Sequence, residues 1–214
     1  MVILYFLGGQ DPFLEKGIAI LCRAIREAGE NPQILILPWG LDGMEAVSKA
    51  TQLRSAFKDL GTEAEVAWPD EDVDTLREKV SSSDLVFLAD GDARIMRRRM
   101  SQSCMSDLMQ NYEGVVVGDA MGGAVMCQHV ILPPDEYGSS YTVILGLNLV
   151  DFGVVPRYRR EIDPFMTGSS MGRTVFGIPD GSALMYGAGI LSHYGTVYMF
   201  KNGKRTTLTD TLPY

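Results

Sequence analysis

Histidine is almost missing from this chain: His129 and His193 are the only two among 214 residues. Hydrolysis that relies on an imidazole base has few places from which to draw one. Cysteine is scarcely more frequent. Cys22, Cys104 and Cys127 are odd in number and widely spaced, which argues against a disulfide framework or a zinc knuckle and for reduced, mostly buried thiols. No apolar run approaches the ~20 residues of a membrane span. The opening MVILYFLGG lacks the basic start and small-residue cleavage site of a signal peptide, so a soluble cytoplasmic protein is expected. Positive charge is also in deficit, with 19 Lys and Arg against 27 Asp and Glu. The resulting net charge of −8 repels phosphate backbones and anionic membrane surfaces, so neither nucleic acid nor membrane is expected as a partner. Arg97, Arg98 and Arg99 form the one basic cluster. Consecutive residues cannot share a helix face, and a solvated surface is expected there.

What the chain has in quantity is apolar residue, 46% of the total, enough to bury a sizeable core in one domain over residues 1–214. Short β-branched runs alternate with helical periods, the pattern of a parallel sheet with crossover helices. VILYFLGG reads as a buried strand. Asp11 and Pro12 then give an N-cap and first-turn signal for a helix with Leu14, Ile18, Leu21 and Ile25 on its inner face, closed by Gly29. QILILP follows as strand, then a helix over 43–60 with Val47, Ala50, Leu53 and Phe57 inward and Gly61 as its stop. EAEVAW is a third strand, 71–81 a polar helix and DLVFLA a fourth strand. A helix over 93–110, on which Met96, Met100 and Met105 fill the core, leads to GVVVG as the fifth strand. Beyond residue 130 long amphipathic periods give way to turns and short strands. RTVFGI, SALMYG and GTVYMF read as antiparallel, and Asn202-Gly203 as a hairpin turn. The expected fold is α/β and three-layered: a largely parallel sheet flanked by helices, extended by C-terminal antiparallel β-hairpins.

In open sheets of this kind ligands collect beyond the carboxyl ends of the strands. Gly8 and Gly9, the loop Ala89–Asp92, and the turn Gly118–Gly123 are therefore expected to face one site. The last of these, in VVVGDAMGGAVM, has the layout of a nucleophile elbow, G-x-S-x-G, in which glycines flank a serine held in a strained turn. The frame here is Gly118-Asp119-Ala120-Met121-Gly122, with a methyl group where the hydroxyl would be.

Four segments in order carry a resemblance over nearly the whole chain. VVVGDAMGGA matches a G-x-S-A-G-A elbow, VFLADGDARIM a preceding G-G-G-N loop, GLNLVDFGVVPRY a later P-H-[YF] histidine segment, and FGIPDGSALMYGAG a late strand pair. On these the chain resembles the dipeptidase E and cyanophycinase family of serine peptidases, which share the class I glutamine amidotransferase-like fold. The resemblance implies hydrolysis of aspartyl peptides or cyanophycin in an active member, with no cofactor. It places the nucleophile at Ala120, the histidine at Arg157, the acid at Asp135, and the oxyanion-hole N–H groups at Met121 and Gly91.

The departures from that pattern decide the expected function. Attack on a carbonyl needs an oxygen or sulfur lone pair and a base to take its proton. Ala120 and Arg157 offer neither, and arginine stays protonated. Asp135 has no imidazole to orient, and an ion pair with Arg157 is its natural replacement. Cys127 lies seven positions past the apex, roughly 10 Å along a helix axis, too far to replace the serine. His193 falls in a predicted hairpin, where a structural role is expected. A non-hydrolytic homologue that binds a small molecule or peptide is therefore expected. Two other classes compete with it. Asp90, Asp92 and Asp119 could hold a divalent cation in a metal-dependent hydrolase, although Asp92 and Asp119 also fit helix caps. A structural or partner-binding module would instead show an exposed apolar patch. The segment from Arg159 to Gly172 matches the family poorly and leaves the ligand unread, and a homodimer, the commonest assembly, stays open.

Overall fold

The computed structural model describes residues 1–9, 11–13, 15–134 and 140–209. Thirteen strands and seven α-helices are described: β1 (Ile3–Leu7), α1 (Glu15–Ala28), β2 (Ile34–Leu37), α2 (Gly43–Asp59), β3 (Ala64–Val66), α3 (Val73–Ser82), β4 (Leu85–Leu88), α4 (Ala93–Gln102), α5 (Met105–Gln110), β5 (Val115–Asp119) and α6 (Met121–Met126), then β6 (His129–Leu132), β7 (Thr142–Leu145), β8 (Gly153–Pro156), α7 (Asp163–Ser169), β9 (Thr174–Ile178), β10 (Ala183–Gly187), β11 (Ile190–Tyr194), β12 (Val197–Lys201) and β13 (Lys204–Leu208).

The central sheet has seven strands in the order β11-β10-β1-β5-β4-β2-β3. The run from β1 to β3 is parallel, and β10 and β11 extend it antiparallel past β1. β2, β4 and β5 are buried along their whole length, which is why they read as unbroken apolar runs with no alternation. Helices cover both faces. Ile20, Leu21 and Ala24 of α1 and Ala50, Leu53 and Phe57 of α2 pack with Tyr5, Phe87 and Val117 on one side. On the other, Leu76 of α3, Met96 and Met100 of α4, Met105 of α5 and Ala124 of α6 pack with Phe6, Leu88 and Val116. No helix among the described residues is long and apolar enough to cross a membrane.

Several expectations need correction. The helix expected over 93–110 is two, because Ser103 is extended and breaks it. Its hydroxyl accepts the Met105 amide at 3.2 Å and so opens α5. The three methionines nevertheless share one core. Val47 is exposed, since the inner face of α2 is Ala46, Ala50, Leu53 and Phe57. Ile18 of α1 is exposed too, and Ile20, Leu21 and Ala24 face inward; Leu14 lies outside the described residues. Asp11 accepts the Phe13 amide at 3.0 Å in a turn ahead of α1. The C-terminal strands do not all extend the main sheet: β8, β9, β12 and β13 form a separate sheet in the order β13-β12-β9-β8, with β8 and β9 parallel. The Asn202-Gly203 hairpin is present between β12 and β13, both residues at positive φ as a type I′ turn requires. Cys127 is buried, and Cys22 and Cys104 are half-buried.

The arginine cluster is largely structural. Arg97 donates to the Gly146 carbonyl at 3.1 Å and to Ser106 Oγ at 3.2 Å. Arg99 donates to the carbonyls of Trp39 and Leu41 at 2.8 and 2.6 Å and pairs with Asp42. Arg98 alone is exposed. Arg99 thereby fastens the loop after β2 against α4, and Gly40 of that loop accepts the Asp92 amide at 2.8 Å. This contact positions the loop after β4 that borders the site.

Candidate functional site

β1, β5 and β4 are adjacent and parallel, so their carboxyl ends place Gly8 and Gly9, the Asp119-Ala120 corner and Asp90 to Asp92 side by side. The corner keeps the shape of an elbow. Ala120 has φ 44° and ψ −109°, a conformation that costs a non-glycine residue about 1–3 kcal/mol. α6 starts at the next residue. Such a turn closes only without side chains on its neighbours. A Cβ on Gly118 would lie 2.3 Å from the Gly123 Cα, and one on Gly122 2.3 Å from the Leu88 carbonyl oxygen. These obstacles are backbone and cannot rotate away. Gly118→Ala is accordingly expected to lower the thermal midpoint by roughly 5–10 °C in a melt followed by circular dichroism.

The side chains around the corner form a polar cluster that sequence alone did not assemble. Asp90 Oδ1 accepts the backbone N–H of Met121 at 3.2 Å. Its other oxygen pairs with the Arg157 guanidinium. Arg157 follows β8 at φ 50°, and its amide donates to the Gly8 carbonyl, which ties the end of β8 to the end of β1. Gly9, at φ 115°, packs so closely on Arg157 that a Cβ there would come within 2.8 Å of Arg157 Cγ. Burial works against the charge on Arg157, but the hydrogen bond and charge of Asp90, with Asp119 and Asp180 beside it, outweigh burial and raise its pKa. Asp135, the expected partner of Arg157, lies outside the described residues. The described partner is Asp90.

Asp119 does not cap a helix as expected. It is the last residue of β5, its exposure is 3%, and its Oδ1 has no hydrogen-bond partner among the described residues. Strand alternation sends its side chain to the same face as Val117, toward α1 and α2. Desolvation, reinforced by the charge of Asp90 and opposed by Lys49 and Arg157, pushes its pKa up to about 7. Asp92 does cap, accepting the amides of Arg94 and Ile95 at 2.6 and 3.1 Å. With Asp92 turned to α4 and Asp90 to Arg157, the alternative of a cation site at Asp90, Asp92 and Asp119 is not assembled, and no group of three His, Cys, Asp or Glu among the described residues could hold a metal ion. Gly91, the other expected oxyanion donor, packs against Gly40, where a Cβ would sit 2.6 Å from the carbonyl carbon. Among the described residues, Cys127 is not placed to act as a nucleophile at the corner. Cys127 is fully buried with its sulfur 3.9 Å from the Gly123 carbonyl, and burial pushes its thiol pKa up. His193, on β11 as expected of a hairpin, has Nδ1 2.9 Å from the Gly195 carbonyl.

A cavity of about 340 Å³ opens beside the elbow, and Met121, Gly91 and Arg157 form part of its wall. Ala120, at 1% exposure, does not itself line this cavity. Arg94, Arg159 and Tyr141 also face the cavity and were missed in the sequence. The sequence offered only an aromatic between two arginines, Arg157-Tyr158-Arg159, of which the tyrosine is buried and both arginines are exposed.

Comparison with known proteins agrees with the fold. The model of peptidase family S51 matches residues 19–191. A peptidase from an acI-B1 Actinobacterium superimposes with a TM-score of 0.78 at 17% identity, over 99% of this chain and 96% of that one. A protein assigned as a peptidase E from Listeria monocytogenes EGD-e gives 0.69 at 13% identity, over 91% of this chain and 98% of its own. At such identities the likeness is one of fold. No curated protein matches the chain. The family match spans well over half of the sequence and includes the elbow, the Asp90 loop and Arg157, and by it the chain belongs to peptidase family S51.

Proposed function

We propose that this chain keeps the S51 peptidase scaffold without its cleavage chemistry, and binds a small molecule or peptide beside the elbow without cutting it. One observation carries the reading. The Met121 N–H, which the family resemblance makes an oxyanion-hole donor, is taken by the Asp90 carboxylate. An oxyanion hole works through donors aimed at the place where negative charge develops. Here an internal carboxylate fills that place, and a guanidinium at the histidine position neutralises it. The methyl group of Ala120 then leaves nothing to attack a carbonyl.

The test is turnover of aspartyl dipeptides and of a fluorogenic peptide panel. Product formation indistinguishable from the uncatalysed rate is expected on every substrate. Rates like those of an active peptidase, abolished by changing one residue of this site, would overturn the reading.

A further inference from the structure

The smaller sheet β13-β12-β9-β8 has a cationic edge on a chain whose net charge is −8. From Met171 to Leu208 the sequence carries Arg173, Lys201, Lys204 and Arg205 against one carboxylate, Asp180, which stands beside Arg157 at the elbow. Arg205 is held by Asp163 at 2.5 Å. Among the described residues, Arg173, Lys201 and Lys204 are in no ion pair. Asp151, which the register of β8 and β9 brings level with Arg173, does not pair with it. Lys201 and Lys204 face each other across the Asn202-Gly203 turn, and Thr174 stands opposite Lys201 on the next strand, so all three side chains share one face. Like charges directly opposite in a ladder are destabilising. The turn that holds them is nonetheless fixed. The Asn202 and Gly203 amides donate to the carbonyl and the hydroxyl of Ser170, each at 3.0 Å, and Ser170 is fully buried.

β13 is the outer strand of this sheet, and Lys204 to Thr207 are exposed. The pair that closes a two-residue hairpin exchanges its backbone hydrogen bonds, so alternation turns the N–H and C=O groups of Arg205 and Thr207 outward. No backbone hydrogen bond to a described residue outside the sheet uses them. Charge on an edge strand also serves to keep it unpaired. That accounts for Lys204 and Arg205, but not for Lys201 on the inner strand β12 or for Arg173 ahead of β9.

We propose that the edge of β13 takes an acidic segment of a partner protein as an added strand, its backbone on Arg205 and Thr207 and its carboxylates beside Lys204 and Lys201. In such additions the ladder hydrogen bonds supply affinity and the side chains supply selection. A long phosphate polymer is disfavoured, because it would extend past this edge over a chain of net charge −8. A short acidic strand touches the cationic edge alone. The lysines lie at the end of the sheet away from the elbow, since β9 runs from Thr174 beside Lys201 to Ile178 beside Pro156. The proposal therefore stands apart from the proposed function.

Fluorescence anisotropy of a dye-labelled Glu-Thr-Glu-Val-Glu-Thr peptide, titrated with the full chain at low salt, tests this. Saturable binding is expected, weakened at least about threefold when the ionic strength is raised to about 0.3 M. Lys201→Gln and Lys204→Gln should each weaken it by about threefold and the double variant by about tenfold. Lys58→Gln, at an exposed position of α2, should leave it unchanged. The same peptide N-methylated at alternate residues cannot complete a ladder and should bind at least about tenfold more weakly. Absent binding, equal binding of the N-methylated peptide, or an unaffected double variant would each overturn the proposal. So would tighter binding of a short single-stranded DNA, which would mark the edge as a phosphate site.

Discussion

The Ala120→Ser variant is expected to remain unreactive toward a fluorophosphonate probe until Asp90 and Arg157 are changed as well. The hydroxyl would occupy an elbow of the correct shape, since φ 44° and ψ −109° are already imposed on residue 120. It would lack a base, because a guanidinium does not accept a proton at accessible pH. Arg157→His supplies an imidazole from the same strand end, but Asp90 would still hold the Met121 N–H at 3.2 Å, and its charge would oppose a developing oxyanion. Only the triple variant Ala120→Ser, Asp90→Gly, Arg157→His clears the donor and provides base and nucleophile together. Loss of one oxyanion donor costs about 10²–10³ in rate, so the triple variant should label faster than the Ala120→Ser, Arg157→His double variant by about that factor. Intact-mass measurement of adduct against time gives both rates. Equal labelling of the double and triple variants would show that Asp90 does not obstruct the hole.

How much of this was legible in the sequence follows from how local each cause is. The elbow could be read because its glycines answer contacts a few residues away, such as Gly118 against Gly123. The parallel core could be read because β2, β4 and β5 are buried on both faces. The cluster of Asp90, Met121 and Arg157 could not, because these residues meet only when three strand ends are brought together. A one-residue shift in periodicity turned Val47 outward, since Ala46 fits the packed face of α2 as well as a larger side chain would. Asp119 was misread for a related reason. Aspartate after a strand and before a helix usually caps the helix, but here the strand runs through residue 119 and the cap position falls on Ala120.

That displaced aspartate leads to an unusual dependence of stability on pH. In the unfolded chain Asp119 loses its proton near the ordinary 3.8; in the folded chain it does so at about 7. Between those values the folded state holds a proton that the unfolded state has released, so rising pH favours unfolding. The contribution is intact below the unfolded value, fades across the interval, and is fully lost above about pH 7. At about 1.4 kcal/mol per unit the whole interval is on the order of 4 kcal/mol, a figure in which the opposing charges of Lys49 and Arg157 are already counted. An asparagine in its place would match the protonated carboxyl in shape and cannot ionise. The Asp119→Asn variant is therefore expected to melt within a degree or two of wild type at about pH 4 and roughly 5–10 °C above it at about pH 8, in scans of both chains in matched buffers. If the substitution lowered the midpoint equally at both values, Asp119 would instead be an ionised, stabilising partner of Lys49, and the desolvation argument for this carboxyl would fail.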